Sequence, residues 1–330
     1  TKLWTGTGSS NALTGINFQP DLVWIKRRNT AGGNMFTDIV RTATKTIISN
    51  ETSAEQTFAQ GLTSFDTGGF TVGSEAGFNN NGDTFVGWSW LASNTTASNT
   101  DGTITSTVSA STDAGFSIVS WTGNENASST VGHGLGSDLG MIIIKNRIDA
   151  EHWEVWHKNL TSTSDYRLLL SGTIAENNNT AFFSEAPTST VFTPGSNNAI
   201  NGSGDSMIAY CFAEKKGYSK FGKYTGNGNA DGTFIYTGFK PAFFLSKRTD
   251  AIKDWHIIDN KRDIDNPTQT ILYPNANFAE GTPTGVDFLS NGIKTRNSDV
   301  FINGSGATYI YMAFAENPFV TSSGVPACAR

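Results

Sequence analysis

Charged side chains recur in this chain in one order: Lys26, Asp38, Arg41 and Glu55, then Lys145, His157 and Glu176, then Lys247, Asp259, Arg262 and Glu280. Two kinds of chemistry fit such sets. Lysine and arginine as donors, with carboxylates as acceptors, would hold an acidic or polyhydroxyl sugar. The same groups, partly buried, would form ion-pair networks that fix strand register. The second reading is favoured, because His157 stands where the other two sets have aspartate, and a strict catalytic role would not survive that exchange.

Other site chemistries find less to work with. Of the four histidines, His133, His152, His157 and His256, none has a cysteine at zinc-ligand spacing, and His152 and His157, separated by four residues on an expected strand, would lie on opposite faces. The stretch "NGNADGT" at 227 to 233 offers oxygen donors but not the closing glutamate of a calcium loop, and is expected to be a turn. Glycosidic hydrolysis needs a pair of carboxylates flanking a groove, and no unique pair stands apart from the recurring sets. No Gly-x-Ser-x-Gly elbow is present. No catalytic, cofactor-binding or metal-ligating residue is therefore assigned, and the chain is expected not to be an enzyme.

The elements that carry the charged sets also recur. An aromatic-Thr-Gly step opens each copy at Trp4, Trp121 and Tyr224, and a strand ending in lysine follows: "LVWIK", "MIIIK" and "FFLSK". Two further strands lead to the glutamate, and a Gly-rich turn precedes a last strand, "TFVGWSW", "SMIAYCF" or "TYIYMAF". The strand-ending lysines lie 119 and 102 residues apart. Such self-similarity is the signature of tandem units. In "TYIYMAF", Tyr309, Tyr311 and Ala313 would face one way and Ile310, Met312 and Phe314 the other, so both faces are apolar and the strand is central. Frequent turn signals and little helical period predict an all-β chain of three tandem pseudo-repeats, each an antiparallel β-sandwich or jelly-roll-like unit.

The expected organisation is repeat one over 1–92, a Ser/Thr/Asn-rich linker over 93–115, repeat two over 116–216, and repeat three with a C-terminal tail over 217–330. The linker is inferred from a composition that offers little to bury. The short bridge "KKGYSKFGK" should bring repeats two and three side by side, burying part of Tyr218 and Phe221.

The bulk properties agree with short strands and many turns. Hydrophobic residues make up 37% and charged residues 16% of the 330, leaving room for Gly, Ser, Thr and Asn. A net charge of −6, with no basic stripe, gives no support to nucleic-acid binding. Two cysteines, Cys211 and Cys328, imply no disulfide framework. No apolar run is long enough to span a bilayer. The start at Thr1, without an initiator methionine or a signal-peptide pattern, is expected to reflect a fragment or a processed product.

Aromatic residues are plentiful. Trp24, Trp153 and Trp255 fall at strand positions and are expected in the core. Trp88 and Trp90 alternate with Ser89 and so share a face, as a seam with a neighbour or a stacking platform for sugar, the seam being favoured. Repeat one has Asn34-Met35 where the other two open a strand with tryptophan, which leaves a shared role for that tryptophan open. The turns at 76–83, 196–204 and 297–306 are the candidate binding loops.

With these landmarks assembled, the segments "FQPDLVWIKRRN", "TVGHGLGSDLGMIIIKNR", "IAYCFAEKKGYSKFGKYTGNGNADGTFIYTGFKPAFFLSKRTD" and "TYIYMAFAENPF" give the chain a resemblance to the C-terminal module of tail-fibre-like virion proteins of tailed, often marine, bacteriophages. The resemblance implies a structural or host-attachment role in the virion, and no catalytic residues. It also implies homotrimers and contacts with other virion proteins and with host surface glycan, without membrane insertion. A capsid decoration or filament subunit is the alternative expectation, and a polysaccharide depolymerase the third.

Overall fold

In a computed structural model of the chain, residues 1–282 and 285–316 are described. Cys328 and the rest of the tail lie outside them. The chain is all-β and its strand pairs are antiparallel, with only two four-residue helices, Ala76–Asn79 and Asn198–Asn201, among the described residues.

Each third of the chain builds one large sheet and one small one, in the same order. In the first third the opening strand Lys2–Thr5 pairs with the closing strand Thr84–Trp90, which pairs with Leu22–Arg27, and that with Asn34–Asp38. The second third repeats this with Phe116–Thr122, Ser206–Ala213, Leu139–Asn146 and Glu154–His157. The last uses Ser219–Thr225, Thr308–Ala315, Pro241–Arg248 and Trp255–Asp259. A three-stranded sheet accompanies each large one, again in a common order.

The sequence patterning explains the layers. Closing strands are apolar on both faces because each separates two cores. Tyr309, Tyr311 and Ala313 enter a core private to the last third, while Ile310, Met312 and Phe314 enter a core shared by all three. Private cores also form around Trp121 and Phe192 and around Phe70 and Phe85. The shared core holds Trp24, Trp153 and Trp255, each no more than 1% exposed.

One boundary differs from expectation. Residues 93–115 do not form a linker: Ala97–Asn99 and Ser106–Ser111 are strands that extend the second large sheet. Small polar residues conceal the strand. Val108 and the half-buried Ala110 pack on the second private core. Ser106 donates to the carbonyl of Gly132 and Ser109 bonds Ser93, so their burial leaves no hydroxyl unmatched. The bridge between the second and third segments likewise becomes strand from Ser219 onward, with Phe221 in the shared core and Tyr218 against it.

Candidate functional site

The recurring charged residues gather at the seams between the three large sheets, and the seams close into a ring. The amide of Glu55 donates to the carbonyl of Arg147 at 2.9 Å, that of Glu176 to Thr249 at 2.7 Å, and that of Glu280 to Arg28 at 2.7 Å. The three acceptors stand two residues after Lys145, Lys247 and Lys26. First segment thus binds second, second binds third, and third binds first. Side chains reinforce two seams: Arg147 holds Glu55 at 2.9 Å, and Arg28 holds Glu280 at 2.9 Å. At the third seam threonine replaces the arginine, and Glu176 instead accepts from the amide and hydroxyl of Thr161.

A second set of seam bonds starts eight residues after each lysine. The indole of Trp153 donates to the carbonyl of Ile48, and that of Trp255 to Leu169. In the first segment this position is Asn34, whose amide donates to the carbonyls of Tyr273 and Ala276. The asparagine therefore makes the same kind of cross-seam contact as the tryptophans.

Asp38, His157 and Asp259 occupy equivalent places, each fully buried and facing the closing strand of the next segment. Asp38 accepts from the hydroxyl of Tyr210 at 2.8 Å and Asp259 from the indole of Trp88 at 3.0 Å. The residue matching Tyr210 and Trp88 in the last closing strand is Met312, which has no donor to offer; opposite it stands His157, whose Nε2 lies 3.2 Å from the carbonyl of Tyr311. Burial drives the imidazole down to about 3, so it is neutral and donates there. Each aspartate is neutralised by its own arginine, Arg41 at 2.5 Å and Arg262 at 2.6 Å, while beside His157 the arginine position is Leu160. Ion pair and neutral pair are exchanged as units, as the cost of a lone buried charge requires.

The charges in these networks are matched. Burial opposes the guanidinium of Arg41, but Asp38, Tyr210 and Glu55 together outweigh it and hold its pKa above the ordinary value. Burial would likewise raise Asp259, yet Arg262 and the Trp88 indole bring it below the usual carboxylate range. Lys26, Lys145 and Lys247 differ. Their ammonium groups meet backbone carbonyls: Gly32 and Asn277 for Lys26, Asn146 and Asp149 for Lys145, and Arg248 foremost for Lys247. Burial lowers Lys26 to about 7 and Lys145 and Lys247 to about 8.

At one pole the closing strands converge. Trp90, Phe212 and Phe314, one from each, form a triangle with ring centroids 6.3, 5.9 and 6.1 Å apart. Trp88 and Trp90 are 2% and 5% exposed, and the seam they form lies between segments of one chain. Outside the triangle opens a cleft of about 820 Å³ over Trp90, Phe243 and Phe314, with Lys215, Lys216 and Lys261 among its lining residues.

The candidate loops lie at the other ends of the same strands. Each is anchored by a buried asparagine that sequence reasoning missed. Asn79 bonds Thr7, Ser9 and Gly73; Asn201 bonds Asn124, Pro194 and Gly195; Asn303 bonds Asn227, Asn229 and Asn297. The tips beyond them, Asn80–Gly82, Ser203–Gly204 and Ser305–Gly306, are exposed. A positive φ at Gly82, Gly204 and Gly306 shapes each turn. The constant offset of Asn79, Asn201 and Asn303 from the closing strands was the available signal. Among the described residues no three His, Cys, Asp or Glu side chains are grouped as a metal site, and no helix is long and apolar enough to cross a membrane.

Residues 1–318 match the family described as Domain of unknown function (DUF7483). The chain belongs to that family. No curated protein and no solved structure matches it. In this DUF7483 chain the three segments share the ring of seams and the asparagine-anchored turns.

Proposed function

We propose that this DUF7483 module is a non-catalytic component of a virion, a tail-fibre or spike module that contacts the host surface through the turns at 76–83, 196–204 and 297–306, and that the three segments arose by triplication. One observation carries the reading: the polar residues with chemical potential are spent on closing the ring, while three equivalent turns, each pinned by a buried asparagine, are left exposed at the ends of rigid strands. Rigid scaffolds with polar loops suit recognition, and three weak contacts presented together gain avidity. The axial aromatics are already buried within one chain, so a trimer of this module would use its outer surfaces.

The test is binding of the fluorescently labelled module to host cells and to a glycan array. Lysine at Ser203 and Ser305, singly and together, should weaken binding progressively without lowering the melting temperature. No binding to any host surface, or binding indifferent to these changes, would remove the reading. Release of reducing sugar from host polysaccharide would point to a depolymerase. The alternative, a decoration or filament subunit, draws on the apolar cleft at the opposite pole.

A further inference from the structure

The cleft beside the axial triangle has an apolar floor and a charged rim that the ring does not use. Lys215, Lys216 and Lys261 make no ion pair among the described residues, whereas Glu316, also on the rim, is occupied by Lys240 and Asn260. Asp113, which also lines the cleft, adds one carboxylate. On the same face, a smaller depression shares Asn260, Lys261 and Glu316 with the cleft and is bordered by Ile264. That isoleucine is 80% exposed, more than any other large apolar side chain described, and it stands between Asp263 and Asp265. Asp263 is partly engaged, accepting from the amide of Gln269, while Asp265 is exposed.

One face thus carries an apolar knob between two acids and an apolar hole rimmed with lysines. A surface bearing both halves of a contact complements a second copy of itself, and knob and hole on a common face close as a two-fold pair rather than an open chain. We propose that the cleft is the self-association site of this chain: Ile264 of one copy enters the cleft of a second and the reverse, with Asp265 of each facing Lys261 of the other. Burial of the knob removes an exposed apolar side chain and covers the floor formed by Trp90, Phe243 and Phe314. This goes beyond the host-contact reading and leaves the turns, at the other ends of the strands, free.

Sedimentation velocity on the full chain at micromolar concentration tests it. The wild type is expected to be dimeric and Ile264→Asp monomeric with an unchanged melting temperature. Lys261→Glu and Asp265→Lys, each placing like charges together, should each weaken the dimer by about tenfold or more, and the double reversal should restore it. A monomeric wild type overturns the proposal, as does a dimer indifferent to Ile264→Asp or one that the double reversal fails to restore. A wild-type monomer that turns dimeric with Phe319→Asp would assign the cleft to residues 317–330 instead. Host binding is read separately, so failure of the dimer leaves the turn hypothesis standing.

Discussion

The amide of Glu280 donates to the carbonyl of Arg28 at 2.7 Å, joining residues 252 positions apart and closing the ring between the last segment and the first. The Glu280 carboxylate serves two guanidiniums there, Arg28 across the seam and the fully buried Arg262 within its own segment. Their consequences on removal should differ. Arg28→Ala removes a partly exposed partner and should cost about 1 kcal/mol. Glu280→Gln leaves buried Arg262 with one carboxylate fewer and should cost about 3 kcal/mol. Urea midpoints decide the order; equal losses would mean that Arg262 is satisfied by Asp259 alone.

The axial triangle predicts a larger effect. Phe212 touches Trp90, Phe314, Phe116 and Phe221, and its truncation leaves a void where three segments meet. Phe212→Ala should cost about 3–5 kcal/mol. If the segments instead unfolded independently, calorimetry would show only one of several transitions shifting; a shared core requires the whole profile to move.

The exchange of ion pair for neutral pair can be tested directly. His157→Asp puts a carboxylate opposite Met312, beside Leu160, with no cation at the arginine position, and should destabilise by about 3 kcal/mol or more. Adding Leu160→Arg supplies the partner that Asp38 and Asp259 have, so the double variant should recover part of the loss. A double-mutant cycle measures the coupling; strictly additive losses would refute the equivalence of these sites.

Much of this architecture was legible because it is local. The lysine-ending strands and the two-faced closing strands follow from period-two patterning around fixed landmarks, and Trp24, Trp153 and Trp255 are buried as aromatic strand residues should be. The ring was not legible. Glu55, Glu176 and Glu280 could be placed in one frame, but their partners Arg147, Thr249 and Arg28 lie in other segments, and only one chain fold brings them together. The strand Ser106–Ser111 was hidden because its buried polar residues are small serines with backbone or hydroxyl partners, a composition that otherwise marks a linker. Asn34 departs from the tryptophan pattern in identity yet keeps a side-chain N–H donor for the seam, a likeness of hydrogen-bonding capacity that residue identity does not display.

The buried lysines give the molecule an alkaline response of definite sign. Burial lowers Lys26 to about 7 from an ordinary 10.5. Between those values the unfolded chain binds a proton at this position that the folded chain does not, so this lysine's contribution to stability rises as pH rises through the window. Below about 7 both states are charged and the cost of burying the ammonium is felt in full; above 10.5 both are neutral and it is gone. Cys211 acts in the opposite sense, because burial raises its thiol and stability is lost as pH rises past the ordinary cysteine value of 9.0. Comparison of the wild type with Lys26→Met separates the two, since the thiol is common to both. The stability of the wild type relative to this variant, from urea midpoints, should increase with pH across the window. A constant difference would show that Lys26 keeps an ordinary pKa and that its carbonyl partners at Gly32 and Asn277 compensate fully for the loss of water.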